Sequence, residues 1–217
     1  MFLKKFILAL LICAVSTTAY ASDIPEKWIS SIVYIENVQK QGVGTGFLVG
    51  RIVEGNDIAL FLVSNRHVLL PASAENNKGE EQKAVAHIYF NRIENGEVAQ
   101  ARKTIILRDT SGRTFAKAHE NPAIDVAAVH LKPFVFEPEA AGLSELAYIP
   151  EESLATEDVL RKEYITMGDR LLILGFPLNL AGVNQHLPIA RGGVIASYPL
   201  APFLGGPVVL IDATIVG

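Results

Sequence analysis

The sequence predicts an all-β fold, and two observations support this prediction. Short apolar runs rich in β-branched residues recur along most of the chain, which is the composition that favours strands. Clusters of glycine, asparagine, aspartate and proline separate these runs at regular intervals. Many short strands with regular turn signals indicate a sandwich or a barrel rather than alternating strands and helices.

Six strands are predicted in the first part of the chain. They span residues 32–35, 43–49, 58–63, 84–93, 98–107 and 124–131. The tetrad Glu54-Gly55-Asn56-Asp57 joins the second strand to the third, and Asn95-Gly96 between the fourth and fifth is a strong hairpin signal. The last of the six runs is almost entirely apolar, which is typical of a strand buried on both faces.

A change of composition divides the chain into domains. Prolines at 133, 138 and 150 and a predicted short helix at 156–162 indicate a connector. Strand character returns at 171–174, 191–197 and 208–216. We therefore expect a first all-β domain at 22–132, a linker at 133–166 and the start of a second domain at 167–217.

The N-terminus has the plan of a secretory signal peptide. Lys4 and Lys5 precede an apolar run at 6–15, and the segment ends in Ala19-Tyr20-Ala21. The apolar run is about half the roughly 20 residues that a spanning helix needs. We expect cleavage after Ala21, export to the periplasm or the medium, and no stable membrane anchor afterwards.

Composition restricts the function classes of the exported chain. Its single cysteine, Cys13, lies in the predicted signal peptide, so no disulfide is expected and a core must hold residues 22–217 together. Without Lys4 and Lys5 the chain has 17 basic and 23 acidic side chains, a net charge of −6. This balance argues against a nucleic-acid-binding protein, which carries a basic surface.

One histidine and one aspartate stand out as candidate site residues. His67 directly follows a predicted strand in F-L-V-S-N-R-H-V (61–68), and Asp125 lies in the otherwise apolar run I-D-V-A-A-V (124–129). A lone carboxylate in such a strand is costly to bury unless it is hydrogen-bonded or paired. An imidazole is a suitable partner, because the carboxylate fixes its tautomer and leaves the second nitrogen as a base.

These segments resemble the trypsin-like (chymotrypsin-fold) serine peptidases, especially the bacterial exported branch without disulfides. The similar motifs are G-T-G-F-L-V (44–49), S-N-R-H-V (64–68) and D-V-A-A-V (125–129). G-D-R-L-L-I-L-G-F-P (168–177) and R-G-G-V-I-A-S (191–197) are similar to the opening strands of the family's second barrel. Ser64 stands where the family more often has threonine, and the resemblance covers nearly all of 28–217.

The resemblance implies a two-barrel fold and an endopeptidase activity on protein or peptide substrates. It assigns His67 as general base and Asp125 as its orienting carboxylate, with no cofactor and no metal. The family's nucleophilic serine lies in a G-x-S-G loop after a strand like 208–216, whereas the sequence stops at Gly217. We therefore expect an incomplete second barrel, a nucleophile beyond Gly217, and no peptidase activity from residues 1–217 alone.

The remaining candidate side chains have structural interpretations. Ser111, Ser144 and Ser197 are predicted in turns or at element ends, and Ser153 lies among acidic residues near the predicted helix. The other four histidines are predicted to be structural: His87, His119, His130 and His186. Asp109 is a weaker rival to Asp125. No H-x-x-x-H or H-E-x-x-H pairing indicates a metal site, and Gly42-x-Gly44-x-Gly46 opens no helix as a dinucleotide fingerprint would.

Two alternatives remain open beside the peptidase. An inactive homologue that binds peptides or a partner is the first, and a structural β-protein is the weaker second. Reading the coding frame past Gly217 separates the peptidase from the binding protein. A G-x-S-G continuation supports the enzyme, whereas a stop codon supports the binding protein.

Overall fold

The computed structural model describes residues 24–39, 41–70, 83–94, 97–131, 146–177, 186–201 and 208–213. The predicted signal peptide, the predicted Asn95-Gly96 turn and residues 133–145 of the predicted linker, which include Ser144, lie outside these ranges. None of the helices in the described ranges has the length and hydropathy needed to cross a membrane.

The all-β prediction is confirmed in the described part of the chain, where strands dominate and the helices are short. The strands are β1 (Ile32–Asn37), β2 (Gly42–Ile52), β3 (Ile58–Ser64), β4 (Ala84–Glu94), β5 (Glu97–Arg108), β6 (Ala116–Ala118), β7 (Ala127–His130), β8 (Ile149–Pro150), β9 (Arg170–Gly175), β10 (Ile189–Ile195) and β11 (Ile211–Ala213). The α-helices are α1 (Glu26–Ser31), α2 (Arg66–Leu69) and α3 (Glu157–Lys162).

The larger sheet has the strand order β5-β4-β1-β2-β3-β7-β6, and its neighbours are antiparallel. Strand β8 adds to it by parallel pairing with β2. Residues 149–150 therefore belong to this sheet, although the sequence analysis places them in the linker. The division into two domains stays a prediction.

One apolar core lies against the larger sheet. Central and edge strands both contribute to it, so the sheet must curve around these side chains. At the turn after β5, the Phe115 N–H donates to the Leu107 carbonyl at 2.9 Å. The largest fully buried members are Ile35, Leu48, Leu62, Leu69, Ile88, Ile105 and Leu107. The closed barrels of the predicted two-barrel fold stay a prediction.

The smaller sheet has the order β11-β10-β9. Its core comprises Leu160, Ile165, Leu171 and Ile195, so α3 packs against it through Leu160. Thr156 begins that helix as the N-cap, and its hydroxyl accepts from the Val159 N–H at 3.3 Å. The predicted short helix is confirmed.

Aromatic side chains connect the two sheets. The Phe176 ring, just after β9, meets the Tyr34 ring of β1 edge-on, with centroids 5.2 Å apart. His186 lies against Tyr34 and Tyr89, with ring centroids 4.4 and 4.2 Å away. The Phe176 N–H also donates to the Thr45 hydroxyl of β2 at 3.0 Å.

The predicted strand at 124–131 is wrong in its first part. Strand β7 begins only at Ala127, and two local hydrogen bonds turn the chain before it. The Ile124 N–H donates to the Asn121 carbonyl, and the Val126 N–H donates to the Ile124 carbonyl. Asp125 therefore lies in a turn just before β7, and not inside the strand that its apolar neighbours predict.

Candidate active site

His67 lies on a short helix that directly follows a central strand. Strand β3 ends at Ser64, Asn65 is the N-cap, and His67 is the second residue of α2. The next two residues, Val68 and Leu69, are buried in the core, and their N–H groups donate to the Asn65 carbonyl. The helix is thus anchored, while the His67 side chain stays 71% exposed.

The pairing of β3 with β7 brings Asp125 to the same place. Ser64 is opposite Ala127 in the antiparallel register, so continuing the same register two positions beyond the ladder places residue 66 opposite residue 125. The Arg66 N–H accordingly donates to the Asp125 carbonyl at 3.2 Å. Residues that are 58 positions apart in sequence become neighbours by this register alone.

The Asp125 carboxylate contacts His67 at two points. Its Oδ2 lies 2.5 Å from the His67 ring Nδ1, and its Oδ1 accepts from the His67 backbone N–H at 3.0 Å. Because the carboxylate is an acceptor, it favours the tautomer with the proton on Nδ1, which makes Nε2 the basic nitrogen. The structure thus brings the two predicted site residues together, and their catalytic role stays a prediction.

The carboxylate is held in its charged form. Desolvation by burial tends to raise the pKa of Asp125, but hydrogen bonds from the His67 backbone, the His67 ring and Asn65 oppose it, and the pKa lies below its ordinary value. Its side chain is 48% exposed. The expected problem of a carboxylate buried in a strand does not arise, because Asp125 lies in a half-exposed turn.

Asn65 is a third member of the site, and the sequence analysis did not identify it. Its side-chain N–H group donates to Asp125 Oδ2 at 3.1 Å and to the Asp125 carbonyl at 3.2 Å. The only sequence signal is its place next to Arg66 and His67 in S-N-R-H-V, since an asparagine there is equally expected as a helix cap.

Strand β2 packs against the short helix that carries His67. A Cβ built on Gly44 would lie 2.6 Å from Cγ2 of Val68, so only glycine lets that side chain pack there. The neighbouring Thr45 carbonyl accepts from the Ser64 hydroxyl at 2.6 Å. The glycine-rich strand is thus approached at Gly44 by the Val68 side chain.

The other four histidines have contacts that suit structural roles. His87 Nδ1 lies 3.0 Å from the Thr104 hydroxyl across the β4–β5 pair. His119 Nδ1 accepts from the Asn121 N–H at 3.0 Å, and His130 stacks on Phe61 with centroids 4.6 Å apart. His186 is part of the aromatic cluster, where burial lowers its pKa despite the opposing charge of Glu36.

The described serines outside the motif also serve local structure. Asp109 Oδ1 accepts from the Ser111 N–H and hydroxyl in the turn after β5, at 2.9 and 2.6 Å. Ser197 is buried and its hydroxyl accepts from the Leu210 N–H at 2.8 Å, and Ser153 ends a single 3₁₀ turn. The two bonds from Ser111 thus hold Asp109 in the turn after β5, whereas Asp125 contacts His67.

Among the residues that the structure describes, no group of three or more histidine, cysteine, aspartate or glutamate side chains is placed to hold a metal ion. No protein-family model matches the chain, and no curated protein or solved structure matches it either.

Proposed function

We propose that this chain carries the base-and-carboxylate part of the active site of an exported trypsin-like serine endopeptidase. The observation that carries the proposal is the two-point contact between His67 and Asp125. The ring contact favours the tautomer with the proton on Nδ1 and leaves Nε2 of an exposed imidazole as the basic nitrogen, which is what a general base needs. Protein or peptide chains are the proposed substrates.

A purely structural ion pair explains this arrangement less well. The two side chains are 71% and 48% exposed, and exposed pairs typically contribute only about 0–1 kcal/mol. Such a pair has no need of a backbone N–H that orients the carboxylate, or of a ring held on a four-residue helix. Positioning of the ring for chemistry accounts for both features.

The proposed reaction is acyl transfer through a serine. His67 Nε2 takes the proton of the serine hydroxyl as its oxygen attacks the peptide carbonyl, and it then gives that proton to the leaving amine. Water, activated by the same nitrogen, then hydrolyses the acyl ester that this attack forms on the serine. Asp125 stays ionised and stabilises the imidazolium. The proposal assigns the nucleophile to no serine of residues 1–217.

Replacement of His67 tests the proposal directly. In protein expressed from the whole coding frame, we expect His67→Ala to lower kcat/KM on a casein or peptide substrate by about 10²–10⁴-fold, since that is the usual contribution of general-base catalysis. We expect the variant to fold, because the His67 ring is exposed and contributes little to packing. Circular dichroism checks that it is folded.

His87→Ala is the matched control. It removes an imidazole from β4, whose ring contacts Thr104 rather than Asp125, and it should leave kcat/KM near the native value. Equal activity of native protein and His67→Ala would contradict the proposal. Peptide binding without any hydrolysis by the native protein would instead favour the inactive homologue.

A further inference from the structure

Asn65 makes the contacts expected of a residue that holds the Asp125 carboxylate for His67. Its amide donates to Oδ2, the same oxygen that lies 2.5 Å from the His67 ring. A carboxylate oxygen has two lone-pair sites. One therefore faces the ring and the other the Asn65 amide, so rotation of the carboxylate breaks one of these bonds.

The second Asn65 bond ties the carboxylate to its own backbone. The same amide nitrogen donates to the Asp125 carbonyl at 3.2 Å, which also accepts from the Arg66 N–H. Both Asn65 partners are acceptors, so chemistry alone assigns the NH₂ group to this side of the amide. Asn65 therefore bridges the backbone and the side chain of Asp125.

The position of Asn65 in the chain makes this use of its amide informative. It is the N-cap residue of α2, where an asparagine side chain ordinarily accepts from an N–H of the first helical turn. No such side-chain cap bond is present. The amide is turned toward Asp125, which indicates that its role concerns the site rather than the helix.

We propose that Asn65 is a positioning residue of this site, which locks the Asp125 carboxylate in the orientation that receives the His67 ring. The inference rests on the proposed function only for what the His67–Asp125 pair is positioned to do. The positioning itself is a property of the three side chains, and it is measurable without a substrate.

Nuclear magnetic resonance of the full chain, with labelled aspartate and histidine, tests the positioning. In Asn65→Ala we expect the titration midpoint of the Asp125 carboxyl to rise by about half a pH unit, because one donor to the charged form is lost. The His67 Nδ1 proton should exchange faster with solvent. Asn65→Ser should behave in the same way, since its hydroxyl can cap α2 but is too short to reach Oδ2.

Asn121→Ala is the matched control. It removes an amide from the same turn, where the Asn121 side-chain oxygen accepts from the Ala123 N–H at 3.0 Å. A general loosening of that turn would move the two signals in this variant as well. Shifts in both Asn65 variants, with native signals in Asn121→Ala, support the inference. Native signals in Asn65→Ala, or equal shifts in the control, overturn it.

Kinetics separate a failure of this inference from a failure of the proposed function. In the active protein, Asn65→Ala should lower kcat about tenfold with little change in KM, because a positioning group acts on the chemical step. Shifted resonances in a protein that hydrolyses no peptide support the positioning and overturn the peptidase. Native kcat together with native resonances overturns the positioning alone.

Discussion

The His67–Asp125 contact depends on very few chemical groups. A single ring nitrogen, a single backbone N–H and one carboxylate define it, and a neighbouring amide completes it. Each donor favours the charged carboxylate, so the same bonds that orient the ring also keep Asp125 ionised. Orientation and charge are thus set by the same atoms.

Acid should weaken the folded state through Asp125. The pKa of this carboxyl is lowered in the folded protein, so the charged form contributes stability that is fully present above the unfolded pKa of about 4. The contribution is lost as the pH falls through the lower, folded pKa. Its size is small, because the side chain is half exposed.

Urea unfolding of native protein and Asp125→Asn checks this sign. We expect the native protein to be the more stable at pH 7, and the difference in unfolding free energy to shrink as the pH falls below about 4. A difference that grows on acidification would show that the carboxylate is not stabilised in its charged form.

The sequence predicts His67 and Asp125 as site residues but not Asn65. The first two stand in motifs whose spacing resembles a peptidase family, and their contact follows from the β3–β7 register. Which acceptor an asparagine amide meets depends on tertiary contacts. The N-cap preference alone predicts a different partner for Asn65.

At the scale of the elements, β2 is the support of the site. It pairs with β1 and with β3, and its glycines admit side chains from both neighbours. A Cβ on Gly46 would lie 2.7 Å from Cδ1 of Ile35, 2.9 Å from Cδ1 of Leu62 and 3.1 Å from the Val63 carbonyl oxygen. That position therefore has no room for a larger residue without movement of the backbone of β3.

Gly46→Ala should destabilise the protein by about 1–3 kcal/mol, the usual cost of overpacking a core. The matched control is Gly192→Ala in β10, where an added Cβ meets nothing within 4 Å. The latter should leave the stability unchanged or raise it slightly. Thermal or urea unfolding of both variants measures the difference, and equal stabilities would contradict the packing described for β2.

Most strands were predictable because a single property, β-branched apolar composition between turn residues, determines them. The run at 124–131 shows the limit of that property. Its first residues are as apolar as the rest, yet local hydrogen bonds fold 121–126 into a turn. Strands β6 and β8 have only three and two residues, too few to give a periodic signal.

At the scale of the whole molecule, side chains of the larger sheet contact the chain just after β9 of the smaller sheet. Thr45 connects β3 to the end of β9, since its carbonyl accepts from the Ser64 hydroxyl and its own hydroxyl accepts from the Phe176 N–H. The His67 helix thus follows a strand that is tied, through Thr45, to the end of β9.

The aromatic cluster that connects the sheets could not be predicted from the sequence. The sequence predicts a structural role for His186, but its partners Tyr34 and Tyr89 lie on two different strands of the larger sheet. No local pattern links residues so far apart. Such contacts become visible only once the register of β1 and β4 is known.

A double-mutant cycle on hydrolysis tests the central claim most directly. The kcat/KM of the protein from the whole coding frame is measured for native, His67→Ala, Asp125→Asn and the double variant. If the two residues act as one unit, the double variant loses no more activity than His67→Ala alone, because an orienting carboxylate has no function without its ring. Losses that multiply, or a native protein that hydrolyses no peptide, would contradict the claim.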